Sequence, residues 1–148
     1  MPARKEVVVN PLERFRKVFT ELSAPKGGLP TMPTKISDTS SDELGNMIAK
    51  YTAWREFTED RHMEACAVYA QAKSEYDLAC DREMLSSAAT TVAERKASAK
   101  VSPKVSKLQK DLLEAEMYRD LLAGKLDSFS NVLAMLSREL TRRGVANM

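Results

Sequence analysis

The chain has little from which to build a catalytic centre. Its 148 residues include one histidine, one tryptophan and two cysteines. With one histidine, a multi-histidine metal site cannot form within one copy. The two thiols, Cys66 and Cys80, lie on what reads as one helix, roughly 21 Å apart along its axis. That is too far for an internal disulfide, so a reduced, cytosolic setting is expected. Aromatic residues make up only 6% of the chain, and glycine and proline number 5 and 6. A compact globular core usually holds more large apolar side chains, and a sheet-rich fold more turn residues. No apolar run approaches the roughly 18–20 residues of a membrane span. No leader is expected either, because Arg4 and Lys5 precede only the short run Val7, Val8, Val9.

What the chain does have is helical periodicity. Leu108, Leu112, Ala115, Leu122, Leu126, Phe129, Leu133, Leu136 and Leu140 recur at steps of four and three, with Arg119 in the one polar slot. Such a row belongs to a helix packed along a coiled-coil seam. Ser102-Pro103 supplies a cap and a first-turn proline, so this helix is expected over about 103–143, with Gly144 as its stop. Upstream, Ser40-x-x-Glu43 is a capping box. No proline follows until Pro103, so a first long helix is expected over about 41–97, or about 85 Å if unbroken. Its weakest stretch is Ser86 to Thr91, where serine and threonine compete for backbone hydrogen bonds. Its apolar row reads Leu44, Ile48, Tyr51, Trp54 and Phe57, then turns small along Ala65, Val68, Ala72, Tyr76 and Ala79.

The fold class is therefore all-α, a long antiparallel coiled-coil-like helical hairpin over 38–148. Ahead of it, residues 1–37 form an extended N-terminal arm. Asn10-Pro11-x-Glu13 starts a short amphipathic helix over 11–22, in which Phe15 and Phe19 are candidate partner contacts. Pro25, Gly27, Gly28, Pro30 and Pro33 rule out a helix in the linker that follows, which is flexible unless a neighbour holds it. The arm is expected to be dispensable for folding.

Net charge is only +2, so no global field argues for a polyanion. The distribution is uneven, at net −6 over residues 36–93 and +5 over residues 94–110. Arg95, Lys96, Lys100, Lys104, Lys107 and Lys110 thus cluster around the expected hairpin tip. Clustered lysine and arginine can neutralise phosphates with little sequence preference. No aromatic side chain interleaves them to stack bases, and a solubilising loop is the plain alternative. The second helix also has more apolar surface than one neighbour needs. Leu113, Met117, Leu121, Val132 and Met135 lie beside the heptad row, and are the candidate interface of a homo-oligomer.

Glu59-x-x-His62 has the spacing of half a di-iron bundle motif, but no second carboxylate array completes it, so a solvated polar pair is expected. His62 and Cys66 one turn apart supply two metal ligands where structural zinc takes four. No catalytic residue, cofactor, metal or small-molecule substrate is expected.

Tyr51-Thr-Ala-Trp54, the alanine-rich first arm, the basic middle and the closing run Leu122 to Arg143-Gly144 together resemble small phage-encoded helical proteins, in particular the UvsY-type recombination mediators of T-even phages. The resemblance spans roughly residues 40–144. It implies an oligomeric, non-enzymatic accessory protein of the host cytoplasm that binds single-stranded DNA or a recombinase, with Arg95 to Lys110 as DNA contacts. The competing class is a structural component of a virion or other large assembly, whose arm contacts neighbouring subunits.

Overall fold

The computed structural model describes residues 23–146, with side chains up to Gly144. The expected helix over 11–22, with Phe15 and Phe19, lies outside the described residues. Three α-helices make up most of the described chain: α1 (Ser41–Ser86), α2 (Val92–Val101) and α3 (Pro103–Ala146). A 3-10 turn, Ile36–Asp38, precedes them. No strand occurs among the described residues.

α1 begins as its capping box dictates. Ser40 Oγ accepts from the Glu43 amide at 3.2 Å, and the Glu43 carboxylate accepts from the Ser40 amide at 3.1 Å. Its end differs from expectation. Instead of one helix over 41–97, the chain breaks after Ser86, and local serine and threonine bonds account for the break. Ser86 Oγ donates to the Glu83 carbonyl at 3.2 Å, and Ser87 Oγ accepts from the Ala89 amide at 3.2 Å. Thr91 Oγ1 accepts from the Glu94 amide at 3.2 Å, capping a new helix. α2 packs against α1 and the start of α3. Ser102 then hands the chain to α3, its carbonyl accepting from the Ser106 amide at 2.9 Å. At the far end Gly144 does not stop α3. The helix continues to Ala146, and Arg143 in its last turns is tied to the 3-10 turn, as described below.

α3 packs along α1. Arg143 meets Ser41, Arg55 meets Ser130, and Arg119 lies over Tyr69. Residue numbers rise along one helix as they fall along the other. All ten positions of the α3 heptad row, Arg119 included, are buried or half-buried. The matching row on α1 is sharper than the sequence pattern suggests. Its buried residues are Leu44, Tyr51, Thr58, Ala65 and Ala79, spaced by seven or a multiple of seven. The large core lies at one end only. Leu44, Tyr51, Phe129 and Leu136 form it, flanked by Met47, Ile48, Trp54, Val132, Leu133 and Leu140. Tyr51 and Phe129 meet edge to face at 6.0 Å. Toward the tip α1 contributes alanines, and small side chains there admit the leucines of α3.

Candidate interaction surfaces

The tip is built from the end of α2 and the first turns of α3. Lys96, Lys100, Lys104, Lys107 and Lys110 are all exposed there. None forms an ion pair among the described residues. Steps of three along α3 turn each successive lysine back by about 60° around the helix, so Lys104 and Lys110 stand about 120° apart and the three lysines wrap the outside of α3. Lys104 stands beside Arg82 and Glu75 of α1, and Lys110 beside Tyr76 and Glu116 on the other edge of the hairpin. Arg95 differs from the five lysines. It is half-buried, and its Nε donates to the Ala89 carbonyl at 2.8 Å. It fastens the turn between α1 and α2, and less of its charge faces solvent.

The candidate interface row divides too. Leu113, Met117 and Leu121 are 55%, 57% and 70% exposed, and Met135 is 40% exposed. Val132 is half-buried against the core of its own chain. Between Leu121 and Met135 stands Gly124, where an added side chain would meet open space. A shallow groove of about 410 Å³ opens between α1 and α3, lined by Tyr76, Leu112 and Leu113 among others. The Cys80 thiol hydrogen-bonded to Tyr76 pushes that phenol's pKa up.

A third surface is a clasp at the end away from the tip. Trp54 Nε1 donates to the Gly28 carbonyl at 3.0 Å, and Tyr51 Oη donates to the Pro30 carbonyl at 3.1 Å. The turn feeding these carbonyls needs two left-handed residues in succession, Gly27 at φ 89° and Gly28 at φ 70°, which glycine adopts without steric cost. Met32 and Ile36 then lie on the core. The linker is held by α1 and the core of its own chain. Tyr51 and Trp54, read from the sequence as a packing layer, also serve as hydrogen-bond donors to it. The usable signal was chemical, since a half-buried tyrosine or tryptophan generally requires an acceptor.

The remaining polar candidates stay apart. His62 and Cys66 approach to 3.8 Å through Nε2 and Sγ, while Glu59 is exposed. No group of three potential metal ligands converges among the described residues. No described helix is long and apolar enough to cross a membrane.

No family model, curated protein or solved structure matches the chain.

Proposed function

We propose that this chain is a non-enzymatic accessory protein that works through surfaces: an antiparallel coiled-coil-like hairpin that self-associates and offers its basic tip to single-stranded nucleic acid. The observation that carries the reading is the group of five exposed lysines, without ion pairs among the described residues, gathered where α2 meets α3. Lysines held this way neutralise phosphates without reading sequence. The α3 amides behind Ser102 add donors of the kind that favour anions at a helix N-terminus. A phage-encoded recombination accessory in the host cytoplasm, engaging single-stranded DNA or a recombinase, is the biological setting we infer.

The test is fluorescence anisotropy with a labelled single-stranded oligonucleotide at low salt. Binding is expected to be weakly sequence-dependent, and to fall with salt at a log–log slope of about −0.7 per phosphate contact. Replacing Lys100, Lys104 and Lys107 with Glu is expected to abolish it while leaving helical content unchanged. Absence of binding at tens of micromolar protein would remove the nucleic-acid reading. It would leave the second reading, a structural component of a virion or other assembly, which the exposed apolar row of α3 favours independently.

A further inference from the structure

The outward face of α3 has a second heptad register, two residues out of step with the one that packs on α1. Its positions are Glu114, Met117, Leu121, Gly124, Ser128, Asn131, Met135 and Arg138, again at alternating steps of three and four. None of the eight is buried within the chain. The order is symmetric about residue 126. Gly124 and Ser128 stand two residues to either side, Leu121 and Asn131 five, Met117 and Met135 nine, and Glu114 and Arg138 twelve.

We infer that this face is the seam of a homodimer, in which α3 of one copy lies antiparallel to α3 of a second, with the twofold axis beside residue 126. The inference deepens the self-association proposed above and owes nothing to nucleic-acid binding. Three observations choose a second copy as the occupant. First, the pairing brings the exposed methionines of the face together. Met117 meets Met135 of the second copy, and the exposed Leu121 is covered at Asn131. A face that matches itself on reversal is what a twofold interface requires. Second, the charges match. Glu114 faces Arg138 of the second copy at each end of the seam, and neither forms an ion pair among the described residues. Third, Gly124 lies mid-helix with nothing within 4 Å of where a Cβ would stand. A glycine there weakens a lone helix, and packing within the chain does not require it. Beside Ser128 of a second copy, it lets two backbones approach at the twofold. Lys125 and Asp127 carry opposite charges and flank the seam, so the twofold sets Lys125 of one copy toward Asp127 of the second, where water and salt screen the pair. The two basic tips then lie at opposite ends of the dimer.

Sedimentation equilibrium with charge reversal tests the register. The wild-type chain is expected to be a dimer at micromolar concentration. Glu114→Arg and Arg138→Glu, made singly, are each expected to weaken dimerisation at least tenfold, because each places like charges at both ends. The double variant is expected to restore it to within about threefold of wild type. Within one chain the two positions lie about 36 Å apart along α3, so rescue can act only between copies. Gly124→Leu is expected to raise the thermal stability of the monomer and abolish the dimer. A wild-type chain that sediments as a folded monomer at tens of micromolar would overturn the inference. So would a dimer that the single reversals weaken and the double reversal fails to restore. Oligonucleotide anisotropy on the same samples keeps the two readings separate. A dimer that binds no oligonucleotide refutes the tip reading and leaves the seam standing, and a binding monomer does the reverse.

Discussion

Arg143, in the last turns of α3, donates to the backbone carbonyl of Ile36 at 3.0 Å across 107 residues of sequence. The same guanidinium reaches the Ser37 carbonyl at 3.4 Å, Ser41 Oγ at 3.3 Å and the Glu139 carboxylate at 2.9 Å. One side chain thus ties the end of α3, the start of α1 and the 3-10 turn of the arm together. Arg143→Met keeps the aliphatic stem and removes these bonds. Hydrogen bonds to a charged group contribute about 1.5–3 kcal/mol when well placed, and partial exposure here favours the lower end. The arm is expected to loosen first, so trypsin should cut after Lys35 faster in the variant, at temperatures where both proteins remain fully helical.

The arm was expected to be dispensable, and the clasp gives the opposite expectation for its second half. Removing residues 1–38 would strip Met32 and Ile36 from the core and leave the Tyr51 and Trp54 donors without partners. A drop in urea midpoint is expected on this deletion, with little change on deleting residues 1–22 alone. Tyr51→Phe isolates one element of the clasp. It keeps the edge-on contact with Phe129 and loses the bond to Pro30, at a cost of about 1 kcal/mol.

That the described chain is all helical, with α3 packed along α1, was legible from spacing, because a 3–4 repeat admits few other structures. The capping box at Ser40 was legible for the same local reason. What escaped were interactions over long separations. The row through Ala65 and Ala79 was legible, but nothing in the spacing of α1 announced that Thr58 would be buried in it while Trp54 and Phe57 stay half-buried. Trp54 is turned toward Gly28 by a hydrogen bond to a segment that looked unstructured. The break after Ser86 was visible only as weak propensity. The side-chain bonds of Ser86, Ser87 and Thr91 turn that weakness into a stop. Gly144 signalled an end that α3 passes by two residues. Among the tip residues, composition could not separate Arg95, bound to Ala89, from the five exposed lysines.

Two leucines on opposite faces of α3 separate folding from association. Leu136 is fully buried and Leu121 is 70% exposed. Leu136→Ala is expected to lower the unfolding free energy by about 2–5 kcal/mol through lost burial and the cavity left behind. Leu121→Ala is expected to change it by less than about 0.5 kcal/mol under conditions where the chain is monomeric. Chemical denaturation of both variants at low protein concentration makes the comparison.

Acid should act on the same corner that Arg143 organises. Hydrogen bonds from Arg142, then from Arg143, lower the Glu139 carboxyl pKa from 4.5 to about 2. A carboxylate with a depressed folded-state pKa contributes stability above its unfolded value, and loses it as pH falls through the folded one. The contribution is therefore full above about pH 4.5 and fades as pH falls toward 2. Salt should weaken it, because the group is near solvent. Glu139→Gln is expected to flatten the pH dependence of the melting temperature between those limits, and to have no such effect near neutrality beyond a constant offset.

The turn between α1 and α2 offers the last test, because it separates a structural arginine from the lysines around it. Thr91 caps α2, and Arg95 grips the Ala89 carbonyl from within α2. Thr91→Ala is expected to cost about 1 kcal/mol through loss of the cap. Arg95→Gln removes the charge-assisted bond and should cost a comparable amount, while removing one positive charge. Lys100→Gln removes one charge from an exposed site and should leave stability within about 0.5 kcal/mol. If the tip binds phosphates, both charge-removing variants should weaken oligonucleotide binding, and only Arg95→Gln should also lower the melting temperature. Equal thermal effects of the two substitutions would show that Arg95 does not hold the turn. A loss of affinity with Arg95→Gln that far exceeds the loss with Lys100→Gln would show that the lysines depend on the turn to present them, since each exposed charge alone acts only through its own phosphate.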